Sequence, residues 1–126
     1  MKNNEFRSDY GRRTNWKENY TTVTAAESCT GGLVAGTLVN ADGISEVFKE
    51  SYVTYSNEAK HKLLGVKKET LEKYGAVSRQ TAAEMAEGAV RAAGADASVV
   101  TTGVAGPGGG TEEKPVGLGY IGCCVK

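Results

Sequence analysis

Short apolar runs and helical stripes alternate along most of the chain. Tyr20 to Ala26 is rich in β-branched and small residues and predicts a first strand. Gly31 to Val39 predicts a helix, and Asn40-Ala-Asp-Gly43 a turn. Val47 to Tyr55 alternates imperfectly, with aromatic and β-branched residues, and predicts a second strand. Ser56 or Asn57 caps a helix that runs to Leu64 and stops at Gly65. Lys67 to Tyr74 predicts a short helix ended by Gly75. Ser78 then caps the clearest helix. Its apolar residues Ala82, Met85, Ala86, Ala89, Val90 and Ala93 fall at i, i+3, i+4, i+7, i+8 and i+11, and Gly94 ends it. Ala97 to Thr102 reads as a buried strand, and Val116 to Val125 as the last one. Strands alternating with helices predict an α/β fold: one layered domain, a mixed sheet with helices packed on it. Residues 1–19 are polar and without period, and read as a disordered extension to a domain spanning 20–126.

Composition narrows the function classes. Fifteen basic and fifteen acidic residues cancel, so no charge surplus argues for a nucleic-acid partner or a membrane surface. No apolar run is long enough to span a bilayer, and the polar start lacks a secretory signal, so a cytoplasmic location is expected. Three cysteines (Cys29, Cys123, Cys124) without a Cys-x-x-Cys pair read as reduced thiols. With a single histidine at unsuitable spacing they make a zinc site unexpected.

Two segments carry candidate chemistry. Ala26-Glu-Ser-Cys-Thr-Gly-Gly32 joins the first strand to the first helix through a sharp turn. A turn of that kind exposes Ser28 and Cys29 beside backbone N–H groups, the material of acyl transfer. A serine that only caps the helix is the competing reading. Gly103-Val-Ala-Gly-Pro-Gly-Gly-Gly110 is a flexible loop at the carboxyl end of a strand, where open α/β sheets bind ligands. It is not a phosphate-binding P-loop, because Gly109 and Gly110 stand where Lys and Ser or Thr belong. It is not a dinucleotide fingerprint either, because a strand rather than a helix follows.

Ser28 is outside Gly-x-Ser-x-Gly, and there is no Ser-x-x-Lys. His61 sits between Lys60 and Lys62 and reads as a solvated surface residue. The other available base is Lys60, five residues beyond Tyr55 and near the same sheet edge as Ser28. A buried lysine of lowered pKa can deprotonate serine, and a tyrosine can steady the proton. Lysines are commonly just solvated, which is the alternative.

Taken together, the serine segment, Val53-Thr-Tyr-Ser-Asn-Glu-Ala-Lys60, Leu64-Gly-Val66, Tyr74-Gly-Ala-Val-Ser78, Met85-Ala-Glu-Gly88 and Thr102-Gly-Val-Ala-Gly-Pro-Gly-Gly-Gly-Thr-Glu-Glu-Lys-Pro-Val-Gly117 resemble the CinA carboxy-terminal domain family. Its stand-alone members are nicotinamide-nucleotide amidohydrolases. The match runs in unbroken order from about Thr22 to Val125. The resemblance implies hydrolysis of nicotinamide mononucleotide to nicotinate mononucleotide and ammonia, without metal or cofactor. It implies Ser28 as nucleophile, with Tyr55 and Lys60 as partners. It further implies oxyanion contacts from the amides of Thr30, Gly31 and Gly32, and a nucleotide-holding loop that includes Thr102, Gly103, Gly106, Gly108 and Gly109.

Two departures from the family pattern stand out. Residues 1–19 do not look like the helix that usually opens the family domain. The strand, closing helix and Gly-Asp-Arg-like segment that follow the last strand in the family are not found here. The chain is therefore expected to be a C-terminally incomplete domain, and the alternative function is a nucleotide-binding or assembly module with impaired turnover. The final strand, left uncovered, predicts at least a homodimer.

Overall fold

The structure, a computed structural model, describes residues 21–126. The expected extension at 1–19 lies outside these residues. Four strands form one sheet in the order β2-β1-β3-β4: β1 is Val23–Glu27, β2 is Tyr52–Val53, β3 is Ala97–Gly103 and β4 is Gly119–Val125. β1 runs parallel to both β2 and β3, and β4 returns antiparallel to β3. Four α-helices connect them: α1 (Leu33–Leu38), α2 (Asn57–Leu64), α3 (Lys68–Tyr74) and α4 (Arg79–Ala93). None is long and apolar enough to cross a membrane. The mixed α/β layer architecture is the one the sequence predicts.

The helix ends obey their local signals. Ser56 and Ser78 accept hydrogen bonds from the amides of Ala59 and Thr81, three residues on, and so cap α2 and α4. Gly65 and Gly94 close the same helices in the left-handed conformation.

The main core lies between the sheet and α4. Tyr52, Ala26, Val100 and Gly122 form one row across the four strands. The first three of them meet Met85, Ala86 and Ala89 of α4 together with Leu64 and Val66. Alanines on the α4 stripe let the helix approach closely: the Ser98 hydroxyl donates to the Ala86 carbonyl at 2.7 Å. Gly88 lies where α4 crosses the end of α2, with no room for a Cβ.

Several boundaries differ from expectation; the first strand, expected over Tyr20 to Ala26, is Val23–Glu27. The strand expected over Val47 to Tyr55 contracts to Tyr52–Val53. Val47 is buried instead in a small separate cluster with Ala41 and Ile44, and the exposed Lys49 and Glu50 follow it. The last strand begins at Gly119, because Val116 and Gly117 belong to the loop before it. The first helix starts at Leu33, beyond the two glycines.

β4 is not bare on both sides. Tyr120 and Cys124 pack toward the core, while Ile121, Cys123 and Val125 face outward. Ile121 and Val125 are about four-fifths exposed, at 80% and 78%.

Candidate active site

Because β1, β2 and β3 are parallel, their carboxyl ends share one edge of the sheet. Ser28, Thr54 and Thr102 therefore arrive together, at the end where open α/β sheets take ligands. Ser28 extends the central strand, its amide donating to the Thr101 carbonyl at 3.0 Å. Period-two alternation turns Ser28 to the face of Ala26 and Glu27 to the opposite face.

Lys60 comes from the first turns of α2. Side chains on a helix lean toward its N-terminus, so this one runs back toward the corner that joins β2 to α2. Its Nζ lies 2.9 Å from Ser28 Oγ and donates to the Thr54 carbonyl at 2.7 Å. Lys60 is 1% exposed and Ser28 7%. Burial pushes the Lys60 ammonium below the ordinary lysine range, and a charge interaction with the neighbouring Cys29 sulfur pulls it partly back up.

A neutral amine has two N–H donors and one lone pair. The Thr54 carbonyl can only accept, so it takes an N–H. The lone pair is then free to receive the Ser28 hydroxyl proton.

The remaining expected residues are distributed unevenly. Tyr55 is 71% exposed, and the bonds of Lys60 Nζ go to Ser28 and Thr54, not to it. Alternation past β2 turns Tyr55 outward, and the Thr54 carbonyl is what holds Lys60 Nζ beside Ser28. The Gly31 amide donates to the Ser28 carbonyl and the Gly32 amide to Glu27 Oε1, at 3.1 and 3.0 Å. Neither is left for an oxyanion. Among the described residues no backbone carbonyl takes the amides of Cys29 or Thr30, so of the three expected donors Thr30 stays available and Cys29 joins it.

The Thr102 side chain is 1% exposed and donates to the Ala76 carbonyl at 2.8 Å, so it braces the turn between α3 and α4. Gly103 has no room for a side chain: a Cβ there would lie 2.8 Å from Leu118 O and 3.1 Å from Cys29 Sγ. Cys29 itself is half-buried rather than in the core. His61 is exposed, its Nδ1 2.8 Å from the Val66 carbonyl.

The glycine loop is closed at its base by Val104 and Gly117, which bond to Leu118 and Val104 at 2.9 and 2.7 Å. Lys114 Nζ ties it to the Tyr74 carbonyl at the end of α3, at 2.6 Å. Gly106 is half-buried against Val116, and Gly108 and Gly109 are exposed at the loop's far end.

Sequence reasoning missed Glu27. The carboxylate is 1% exposed and directly precedes the serine. Its Oε1 accepts from the Thr30 hydroxyl at 2.5 Å and from the amides of Gly32 and Val34 at 3.0 and 2.9 Å. Its Oε2 accepts from the Ala35 amide at 2.8 Å. Burial alone would raise its pKa, but these four donors together hold it below the usual carboxylate range. The only sequence signal is a glutamate closing an apolar strand just before a helix with no acid in its first turn.

One buried polar atom near the dyad is unpaired. Thr54 is 0% exposed, and its Oγ1 finds no partner among the described residues. Thr54→Val should remove that penalty and stabilise the fold by about 1–2 kcal/mol, read as a higher urea midpoint. A lower midpoint would show that the hydroxyl is bonded in solution.

The family model of the CinA C-terminal domain matches residues 9–126, beginning ahead of the described residues. A competence-damage inducible protein of Clostridium novyi is 65% identical over 109 residues, covering 86% of this chain and 26% of that protein. One from Clostridium acetobutylicum is 68% identical over 105 residues, covering 83% and 26%. The chain thus spans about a quarter of the length of these curated relatives. Among solved structures, the competence/damage inducible protein CihA from Agrobacterium tumefaciens superposes with a TM-score of 0.88 at 48% identity, covering 94% of this chain and 73% of that one. The competence damage-inducible protein A from Klebsiella pneumoniae gives 0.87 at 33% identity, covering 98% and 76%. The family match over most of the chain, and the same fold in these structures, establish that the chain belongs to the CinA C-terminal domain family.

Proposed function

We propose that the site is that of a Ser-Lys amidase which releases ammonia from nicotinamide mononucleotide. The observation that carries this is the buried Lys60 amine 2.9 Å from Ser28 Oγ. The choice of substrate rests on the resemblance of the serine, lysine and glycine-loop segments to nicotinamide-nucleotide amidohydrolases.

Neutral Lys60 takes the Ser28 proton as Oγ attacks the carboxamide carbon. The oxyanion that forms is within reach of the Cys29 and Thr30 amides, each contributing about 3 kcal/mol in sites of this type. Lys60 returns its proton to the nitrogen, the C–N bond breaks and ammonia leaves. Water then attacks the ester on Ser28, again giving its proton to Lys60. The acid departs as Oγ recovers that proton.

The test is ammonia release from nicotinamide mononucleotide by the wild-type chain and by Cys29→Ala. Release by both at comparable rates is expected, since Cys29 Sγ packs toward Gly103. Loss confined to Cys29→Ala would transfer the nucleophile to the thiol. Binding of the nucleotide without ammonia would identify a binding module instead.

A further inference from the structure

We infer that Glu27 is a positioning residue for this site: its buried carboxylate fixes the serine turn and leaves the Cys29 and Thr30 amides as the anion-binding pair. The inference rests on the Ser28–Lys60 reading above.

Glu27 and Ser28 are neighbours on a strand and face opposite sides of the sheet. The glutamate therefore cannot touch a substrate held at Ser28, and it acts through the backbone between them. Its four donors come from Thr30, Gly32, Val34 and Ala35, so one side chain ties the end of β1 to the whole start of α1. α1 has no side-chain cap of its own and buries no residue, so among the described residues this carboxylate is its main tie to β1.

The network has a direction. Thr30 has one hydroxyl proton, and the carboxylate can only accept it. Thr30 Oγ1 must then accept from the Thr101 hydroxyl, 2.8 Å away. Thr101 lies opposite Glu27 on β3, so the turn is bound to the centre of the sheet at both ends.

The same bonds sort the amides. Those of Gly32, Val34 and Ala35 would otherwise present a positive helix end to any nearby anion. With the carboxylate on them, the turn amides left, among the described residues, for negative charge developing at the substrate are those of Cys29 and Thr30.

Glutamine in place of Glu27 keeps the shape but turns an NH2 group toward at least one amide N–H. Glu27→Gln is expected to lower kcat at least about tenfold with KM within about twofold, because a turn displaced by a fraction of an ångström misplaces both Ser28 and the amide pair. Glu27→Ala leaves a small space lined by N–H donors, and added formate is expected to restore part of its rate. Glu27→Asp, which keeps the charge, should lie between wild type and Glu27→Gln.

A Glu27→Gln rate within twofold of wild type overturns the inference. So does a KM that rises as far as kcat falls, or a Glu27→Ala rate indifferent to formate. If the wild-type chain releases no ammonia from the nucleotide, the proposed substrate falls. The same variants are then compared by the rate at which a fluorophosphonate labels Ser28, with the same thresholds for the rate and for formate. An unlabelled wild-type Ser28 overturns both readings.

Discussion

Ser28→Ala and Lys60→Arg should each reduce ammonia release by about 10³-fold or more, and the double variant should be little worse than either. The two side chains form one proton-transfer unit, so removing either disables both. Arginine keeps the charge, but it stays protonated at any working pH and cannot receive the serine proton. In the wild type, the rate should climb with pH through the lowered pKa of Lys60 and level off above it. The midpoint should fall below the roughly 10.4 of a solvated lysine. A Lys60→Arg enzyme of near-normal rate would remove lysine as the base and return attention to His61.

The same shift bears on stability, with a definite sign. The unfolded chain holds the Lys60 proton to a higher pH than the folded chain does. Between the two pKa values the unfolded state binds more protons, so this residue's contribution to stability rises with pH across that window. Urea unfolding at several pH values should show the slope, and Lys60→Met should flatten it.

Gly88→Ala should destabilise the fold by about 3 kcal/mol or more. On helix propensity alone the change would gain about 1 kcal/mol. Sterics decide the outcome. A Cβ at position 88 would lie 1.8 Å from the Leu64 carbonyl oxygen and 2.8 Å from its carbon. Both are backbone atoms at the end of α2, and neither can swing aside. α4 would have to retreat from α2, opening the core around Leu64 and Met85 and loosening the helix that carries Lys60. Urea unfolding checks this, and a midpoint at or above that of the wild type would show that the crossing is looser than described.

What the sequence made legible follows from the range of the interactions involved. Ser56, Ser78, Gly65 and Gly94 act within one helical turn, so the ends of α2 and α4 could be read directly. The α4 stripe is equally local. Lys60 was legible as a candidate because its spacing from the strand end is short. Its pairing with Ser28 came from the resemblance, since spacing alone does not show that β2 lies parallel beside β1. The outward direction of the Tyr55 side chain was not legible, because it hangs on a strand of only two residues. Glu27 was illegible for a different reason. A glutamate in a pattern scores as solvated, and its partners are backbone amides whose availability depends on the shape of the turn. The amides of Gly31 and Gly32, oxyanion donors on the resemblance, are taken by the chain itself, which again depends on the shape of the turn.

The brevity of β2 has one more consequence. Ser28 is anchored at the centre of the sheet, between two neighbours, whereas Lys60 sits on α2, just after a rim strand paired at Ala26 with Tyr52 and at Glu27 with Val53. The ladder from β1 through β3 to β4 is much longer. Local opening of the rim would part base from nucleophile while the rest of the molecule stayed folded. Catalytic competence then has its own melting behaviour, set by these edge hydrogen bonds together with the packing of α2 on α4.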